Sequence, residues 1–303
     1  MRVKITFNRA KSRYEGFVDG KLVSRSRHES YVKNQISKLG LDIDPESGTV
    51  NMQLQPKIDE FGINKRFEFV EQMVNMVAKK TVASAIITGQ GGLGKTHTVL
   101  KSLKKHGLID TTDMSAFEEG ARINTSKSFK MIKGYSTAKG LYRTLFEGNG
   151  QVLVFDDCDS VLKDPVALNL LKGALDSYGD RWINWNAESN DELPRNFKFT
   201  GAIVFISNLD QDRIDQAIKT RAMCVDLSMT QVQKIERMEV LIEDSEFLPE
   251  YSKTFKKDAI EFIRSIQNSI ENLSLRSLIA VTKIRAEGED WKPLAKYVLT
   301  AGA

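Results

Sequence analysis

The sequence predicts an α/β fold: a parallel five-stranded sheet between helices, preceded by a small α+β domain and followed by a helical region. Three observations carry this expectation. A short apolar run, Ala85–Thr88, enters a glycine-rich loop that opens a helix-like stretch. The consecutive apolar residues Val152–Phe155 suit a strand buried on both faces. Beyond residue 229 the apolar spacing turns helical and stays so almost to the C-terminus.

A length of 303 residues suits about two domains and a sizeable core. The composition, 41% hydrophobic and 28% charged, is that of a globular chain. No apolar run approaches the roughly 20 residues of a membrane span, and the basic N-terminus lacks the apolar core of a secretory signal. Two cysteines make no disulfide framework, and three histidines show no metal-ligand spacing. A cytoplasmic location is expected, that of a host if the source is viral. The net charge of +4 is uneven: residues 1–40 hold ten lysines and arginines against three acids.

In chain order, Val3–Asn8 alternates as a strand, and Tyr14–Val18 and Lys21–Ser24 flank an Asp19-Gly20 hairpin turn. Residues 29–39 have helical spacing. A basic domain is therefore expected at 1–42, with a linker at 43–57. Its cluster Arg9, Lys11, Arg13, Lys21, Arg25 and Arg27 reads either as phosphate contacts to nucleic acid or as a solvated basic face on an adaptor. Residues 64–79 form an amphipathic helix, and the strand, loop and helix of 83–106 follow. Ser128–Tyr135 reads as a strand, and Ser136 as the cap of a helix running to Glu147. After the strand at Val152, Asp159 is expected to cap a helix that includes Leu168–Tyr178. Segments 181–185 and 194–199 read as a protruding hairpin. Its Trp182 and Trp185 either stack on bases or grip a peptide, or are packing residues. Gly201–Ile206 and Met223–Leu227 are strands on either side of a helix at 212–221. Helices are expected at about 230–243, 257–271, 274–287 and 291–300, with Ser274 capping the third.

Gly89, Gln90, Gly91, Gly92, Leu93, Gly94, Lys95 and Thr96 fit the phosphate-loop pattern, and His97 follows in the helix. Glycines let backbone amides turn inward around a polyphosphate, and the helix N-terminus adds partial positive charge. Lys95 is expected on the β/γ-phosphates and Thr96 on Mg2+. Asp156 and Asp157 come where a buried strand ends, the edge at which ligands bind. Asp156 suits the metal, and Asp157 suits a base that polarises water. Asn208, at the end of another strand, can orient that water. Arg276 falls in a helix's first turn, where a ligand phosphate would explain a cation.

These motifs resemble the AAA+ ATPases over residues 58–303. Gly89–Thr96 is similar to Walker A, Val152–Asp157 to Walker B, and Asn208 to sensor 1. Arg221 resembles the arginine finger that reaches a neighbour's γ-phosphate, and Arg276 resembles sensor 2. Lys133-Gly134-Tyr135 falls near the first pore loop, with Tyr135 the gripping aromatic. Segment 181–199 falls where some members carry a second pore loop or hairpin. The compact core and basic head also resemble bacteriophage members. The resemblance implies an α/β core at 58–228, a helical lid at 229–303, and ATP and Mg2+ as ligands. It also implies a ring, a hexamer, with ATP between subunits. Walker B usually ends in Asp-Glu; Asp156-Asp157 departs from this and implies slower hydrolysis. The leading expectation is remodelling or translocation of nucleic acid by a helicase, helicase-loader or DNA-dependent ATPase. A protein unfoldase and an ATP-dependent assembly switch or scaffold are the alternatives.

Overall fold

The computed structural model describes residues 3–8, 13–19, 21–26, 32–33, 35–36, 61–113, 124–176, 179–186 and 193–300. The expected linker, the tip of the 181–199 hairpin at 187–192, and Arg9, Lys11 and Arg27 lie outside the described residues. The chain divides into two compact units, Met1–Glu60 and Phe61–Ala303.

The first unit is built on an antiparallel sheet of β1 (Val3–Asn8), β2 (Arg13–Val18) and β3 (Lys21–Ser26). Asp19 makes the β2–β3 turn at a φ of 46°, a left-handed value that Asp tolerates. Val32 and Ile36, one helical turn apart, pack with Val18. They sit so close over Gly16 that a Cβ there would lie 2.7 Å from each. Only glycine allows that approach.

The second unit holds an α/β layer and a helical layer. In the first, α1 (Ile63–Ala78), β4 (Ser84–Thr88), α2 (Lys95–Lys105), β5 (Ile109–Asp110) and β6 (Ser128–Lys133) follow one another. Then come α3 (Ala138–Glu147), β7 (Val152–Asp156), α4 (Pro165–Ala174) and a short antiparallel pair, β8 (Trp182–Asn184) with β9 (Asn196–Lys198). β10 (Ala202–Ile206), α5 (Gln216–Lys219) and β11 (Met223–Asp226) complete it. The sheet is parallel, in the order β11-β4-β10-β7-β6-β5. Alternation along each strand splits the core. Ala85, Val152, Val154, Val204 and Ile206 face α1 and α2, with Phe67, Val74, Val99 and Leu103. Ile86, Leu153, Phe155, Ile203 and Phe205 face α3–α5, with Leu141, Leu171 and Ile218. Both faces are covered, so these strands read as continuous apolar runs.

Four expectations need correction. The sheet has six strands, not five, because the two-residue β5 adds an edge beside β6. Thr137 rather than Ser136 caps α3, accepting from the Gly140 amide at 3.1 Å, while the Ser136 hydroxyl donates to the Thr137 carbonyl. Asp164 rather than Asp159 caps α4, with Pro165 pre-set for the first turn. The Asp159 carboxylate instead accepts from the Ser207 hydroxyl at 2.6 Å. The helix expected over 212–221 is a 3-10 turn, Gln211–Arg213, and the four-residue α5; extended backbone at Ile214 and the Asp215 cap separate them.

The helical layer is α6 (Gln231–Glu243), α7 (Lys253–Ile266), α8 (Leu275–Ala286) and α9 (Lys292–Thr300). Ile235, Met238, Ile260, Ile263, Leu278, Val281, Trp291 and Ala295 form its core. α6 opens with a Thr230/Gln233 capping box and α8 with one made by Ser274 and Ser277. Among the described residues, no helix is long and apolar enough to cross a membrane.

Candidate functional site

The glycine loop joins β4 to α2 at the carboxyl edge of the sheet. Gly89 has a φ of 131°, and a Cβ there would lie 2.9 Å from the Leu227 carbonyl carbon. The loop therefore turns tightly against the end of β11. Gly94 is the left-handed N-cap of α2, so the loop runs straight into the amide end of the helix, where an anion is favoured.

Lys95 folds back over the loop and is buried, with 5% of its surface exposed. It donates to the Gly89 carbonyl at 2.5 Å, the Gln90 carbonyl at 2.8 Å and Asn208 Oδ1 at 2.9 Å. Burial holds it below the ordinary lysine range, against the opposing pull of Asp157 and Asp156. Asn208 Nδ2 in turn donates to Asp157 Oδ1 at 2.6 Å. Lys95, Asn208 and Asp157 thus form one polar chain across the ends of α2, β10 and β7. Asp157 holds its place on a backbone with a φ of 56°, its amide bonded to the Ile206 carbonyl at 3.2 Å. Asp tolerates this left-handed value better than most residues, and it turns the side chain towards Asn208. The Ser207 hydroxyl, bonded to Asp159 and to the Leu209 amide at 3.0 Å, fixes the turn that presents Asn208.

The Thr96 hydroxyl lies 3.1 Å from both oxygens of Asp156. Burial raises the Asp156 carboxyl above its ordinary range; the Thr96 hydrogen bond opposes that shift and the neighbouring Asp157 adds to it. Among the described residues, no group of three or more His, Cys, Asp or Glu could hold a metal ion. Mg2+ needs no such cage, since it binds through one or two carboxylates together with substrate phosphates. Thr96 and Asp156 are the hard oxygen pair that fits it, and a cation would offset the buried acid.

The cleft over the loop has a volume of about 450 Å3, within the range of small-molecule sites. The helical layer closes it: the Leu275 amide donates to the Gly92 carbonyl at 3.0 Å, and Arg276 lines the cleft. His97 lines it too. Arg237, Leu241, Phe247, Leu248 and Ile279 make a wall that sequence reasoning missed. Arg237 stacks 3.9 Å from the Phe67 ring centroid and donates to Asn64 Oδ1 at 3.1 Å. The capping box at Thr230 marks where α6 begins, but no local signal gives which of its side chains reach the cleft.

The remaining expected residues lie elsewhere. Arg221 precedes β11 at the amino edge of the sheet, its carbonyl accepting from the Ser84 hydroxyl at 3.3 Å. Five residues of β4 separate that edge from the loop, roughly 17 Å of strand. Tyr135 is 81% exposed just beyond β6. The two tryptophans differ: Trp182 is 53% exposed, whereas Trp185 packs on Tyr142 with ring centroids 5.6 Å apart. In the first unit Lys21 and Arg25 are exposed, while Arg13 is paired with Glu15 at 2.7 Å.

The fold defines a class: an α/β domain with a central parallel sheet flanked by helices, broadly consistent with a Rossmann-like nucleotide-binding architecture, and preceded in the chain by a small N-terminal β-hairpin domain. No family model matches the chain. Over 255 residues, 77% of this chain and 73% of the relative, it is 30% identical to the "Uncharacterized 36.7 kDa protein in nrdC-mobD intergenic region" of Enterobacteria phage T4. The chain belongs to the family of that phage protein.

Proposed function

We propose that the chain is a Mg2+-dependent ATPase of the AAA+ type, acting as a ring that remodels or translocates nucleic acid. One observation carries this reading: the Thr96–Asp156 pair and the Lys95–Asn208–Asp157 chain meet in a single cleft under the first turn of α8. The strand order supports it, since β4 lies between β10 and β11, and β7 is next to β10. Loop amides, acids and amide side chain therefore arrive at one carboxyl edge.

In this reading the loop amides and Lys95 bind the ATP phosphates, and helices α6–α9 are the lid. Thr96 and Asp156 would hold Mg2+, which would supply charge neutralisation. Asp157 takes the proton of the attacking water as its oxygen bonds to the γ-phosphorus and ADP departs. Asn208 holds Asp157 and the water in line. Arg276 offsets the charge that develops. Arg221, at the far edge of the sheet, serves the site of a neighbouring subunit, so turnover needs assembly into a ring, a hexamer. Asp157 is one methylene shorter than glutamate, and hydrolysis is slow.

Exposed Lys21 and Arg25 support nucleic acid as the substrate. The solvent-facing Tyr135 favours a second reading, a protein remodeller whose ring grips a polypeptide. The test is phosphate release from ATP with single-stranded DNA, duplex DNA, RNA or unfolded protein, each at two salt concentrations. Nucleic acid should stimulate turnover, less so at high salt. Stimulation by unfolded protein alone moves the assignment to the second reading. A chain that neither binds nor hydrolyses ATP with Mg2+ refutes both.

A further inference from the structure

The wall of the cleft on its helical side holds a strained residue. Leu248 lines the cleft at a φ of 47°. For a bulky side chain that value is an outlier, and Pro249 follows, before which extended backbone is favoured. Leu248 is partly buried, yet it is not among the side chains packed on the core of the helical layer, whereas Phe247 beside it is. Leu241 and Ile279, on the same wall, are also outside that core. Core packing therefore does not account for the strain, and the cleft is what Leu248 faces.

The backbone around Leu248 is held from both sides. The Phe247 amide donates to the Asp244 carbonyl at 3.1 Å, and the Tyr251 amide to the Leu248 carbonyl at 3.1 Å. The Phe247 carbonyl accepts from the ammonium of Lys256 of α7 at 2.5 Å, a lysine that is only 5% exposed. Burying an ammonium is costly, and here it fixes a backbone carbonyl next to the strained residue. From the other direction Lys101 of α2 pairs with Asp244 at 2.9 Å and with Glu246 at 2.5 Å. Segment 244–251 is thus a strap between the helix that the glycine loop opens and the helical layer.

The two sides of the cleft differ in chemistry. The glycine loop, Lys95 and Asp156 suit charged groups, while Leu241, Leu248 and Ile279 suit a flat group with apolar faces. A nucleotide carries both, in its phosphates and its base. Buried area then sets preference, since a two-ring purine covers more of an apolar wall than a one-ring pyrimidine.

We infer that Leu248 is a specificity-determining residue of the cleft, which the strap holds against the base of a bound nucleotide so that purine is favoured over pyrimidine, a role that rests on the proposed nucleotide site. Lys101 and Lys256 are positioning residues, acting through the strap.

Calorimetric titration of the full-length chain with ATP, CTP and inorganic tripolyphosphate, each with Mg2+, tests this. The parent should bind ATP about tenfold more tightly than CTP. In Leu248→Gly the dissociation constant for ATP should rise about tenfold and that for CTP less. That for tripolyphosphate, which has no base, should stay within about twofold. Glycine adopts left-handed backbone freely, so thermal melting of Leu248→Gly should match or exceed that of the parent. A residue with a merely structural role would instead lower the melting temperature and weaken all three ligands alike. Lys101→Gln alters only a part-exposed pair and should lower the ratio of ATP to CTP affinity; an unchanged ratio removes Lys101 from the strap's function. Equal binding of ATP and CTP by the parent, an ATP affinity within about twofold of the parent in Leu248→Gly, or an equal loss for all three ligands overturns the role of Leu248 and leaves the nucleotide site standing. A parent chain that binds neither ATP nor CTP refutes the nucleotide site itself, and the role of Leu248 with it.

Discussion

Replacing Asn208 with alanine isolates the contribution of the polar chain across the cleft. The side chain makes two hydrogen bonds to charged groups, from Lys95 at 2.9 Å and to Asp157 at 2.6 Å. Hydrogen bonds to charged groups contribute about 1.5–3 kcal/mol each. Lys95 keeps the Gly89 and Gln90 carbonyls, so nucleotide affinity should change by less than about threefold. Asp157 loses the side-chain partner that aims it. Loss of that one bond corresponds to a fall in kcat of roughly 10- to 150-fold. Asn208 is exposed, so water replaces its two bonds in part, and thermal stability should fall by about 1 kcal/mol. Steady-state phosphate release gives kcat, and fluorescent-nucleotide binding gives affinity. A variant whose kcat stays within about twofold of the parent, with intact binding, refutes the role of Asn208 in orienting the reacting groups.

Further outcomes are expected. Arg221→Ala should bind ATP and lose turnover; parent-like turnover in an assembled ring of the variant removes its role in a neighbour's site. Asp157→Asn should bind ATP and hydrolyse it poorly, and parent-like turnover refutes the base. Gly89→Ala forces a Cβ to within 2.9 Å of the Leu227 carbonyl carbon on a left-handed backbone. It should lower stability by about 1–3 kcal/mol, measured by thermal melting. Burial pushes the Cys158 thiol from 9.0 to about 11, so the native chain holds a proton that the unfolded chain releases. Stability should therefore fall as pH rises from about 9 to about 11, and Cys158→Ala should flatten that slope.

Much of this architecture is legible in the residues. β4, β7 and β10 are buried on both faces, and such strands must be nearly all apolar. The loop is legible because tight backbone turns need glycine. Asp156 and Asp157 are legible because acids that follow an apolar strand mark its exit from the core. What stays hidden depends on tertiary partners. β5 has two residues, too few for any periodicity, and exists because β6 offers it an edge. Asp159 looks like a cap until Ser207, 48 positions later in the chain, is found to hold it. Arg237 comes to the cleft because α6 folds over α1, which local spacing does not encode. The basic segment reads as a phosphate cluster, yet Arg13 is paired with Glu15 two positions away, the neighbour across one pleat of the same strand.

The bond from the Leu275 amide to the Gly92 carbonyl has a mechanical consequence. It pins one end of α8 to the loop, like a hinge pin at the short end of a lever. Twelve residues of helix span about 18 Å, so a tilt of about 10° at the loop swings the Ala286 end through about 3 Å. Near that end Arg285 is bonded to Asp258 of α7 at 2.8 Å. A tilt of that size would carry the Arg285–Asp258 pair with it, so a spectroscopic label on α7 would report a change at the loop from the outside.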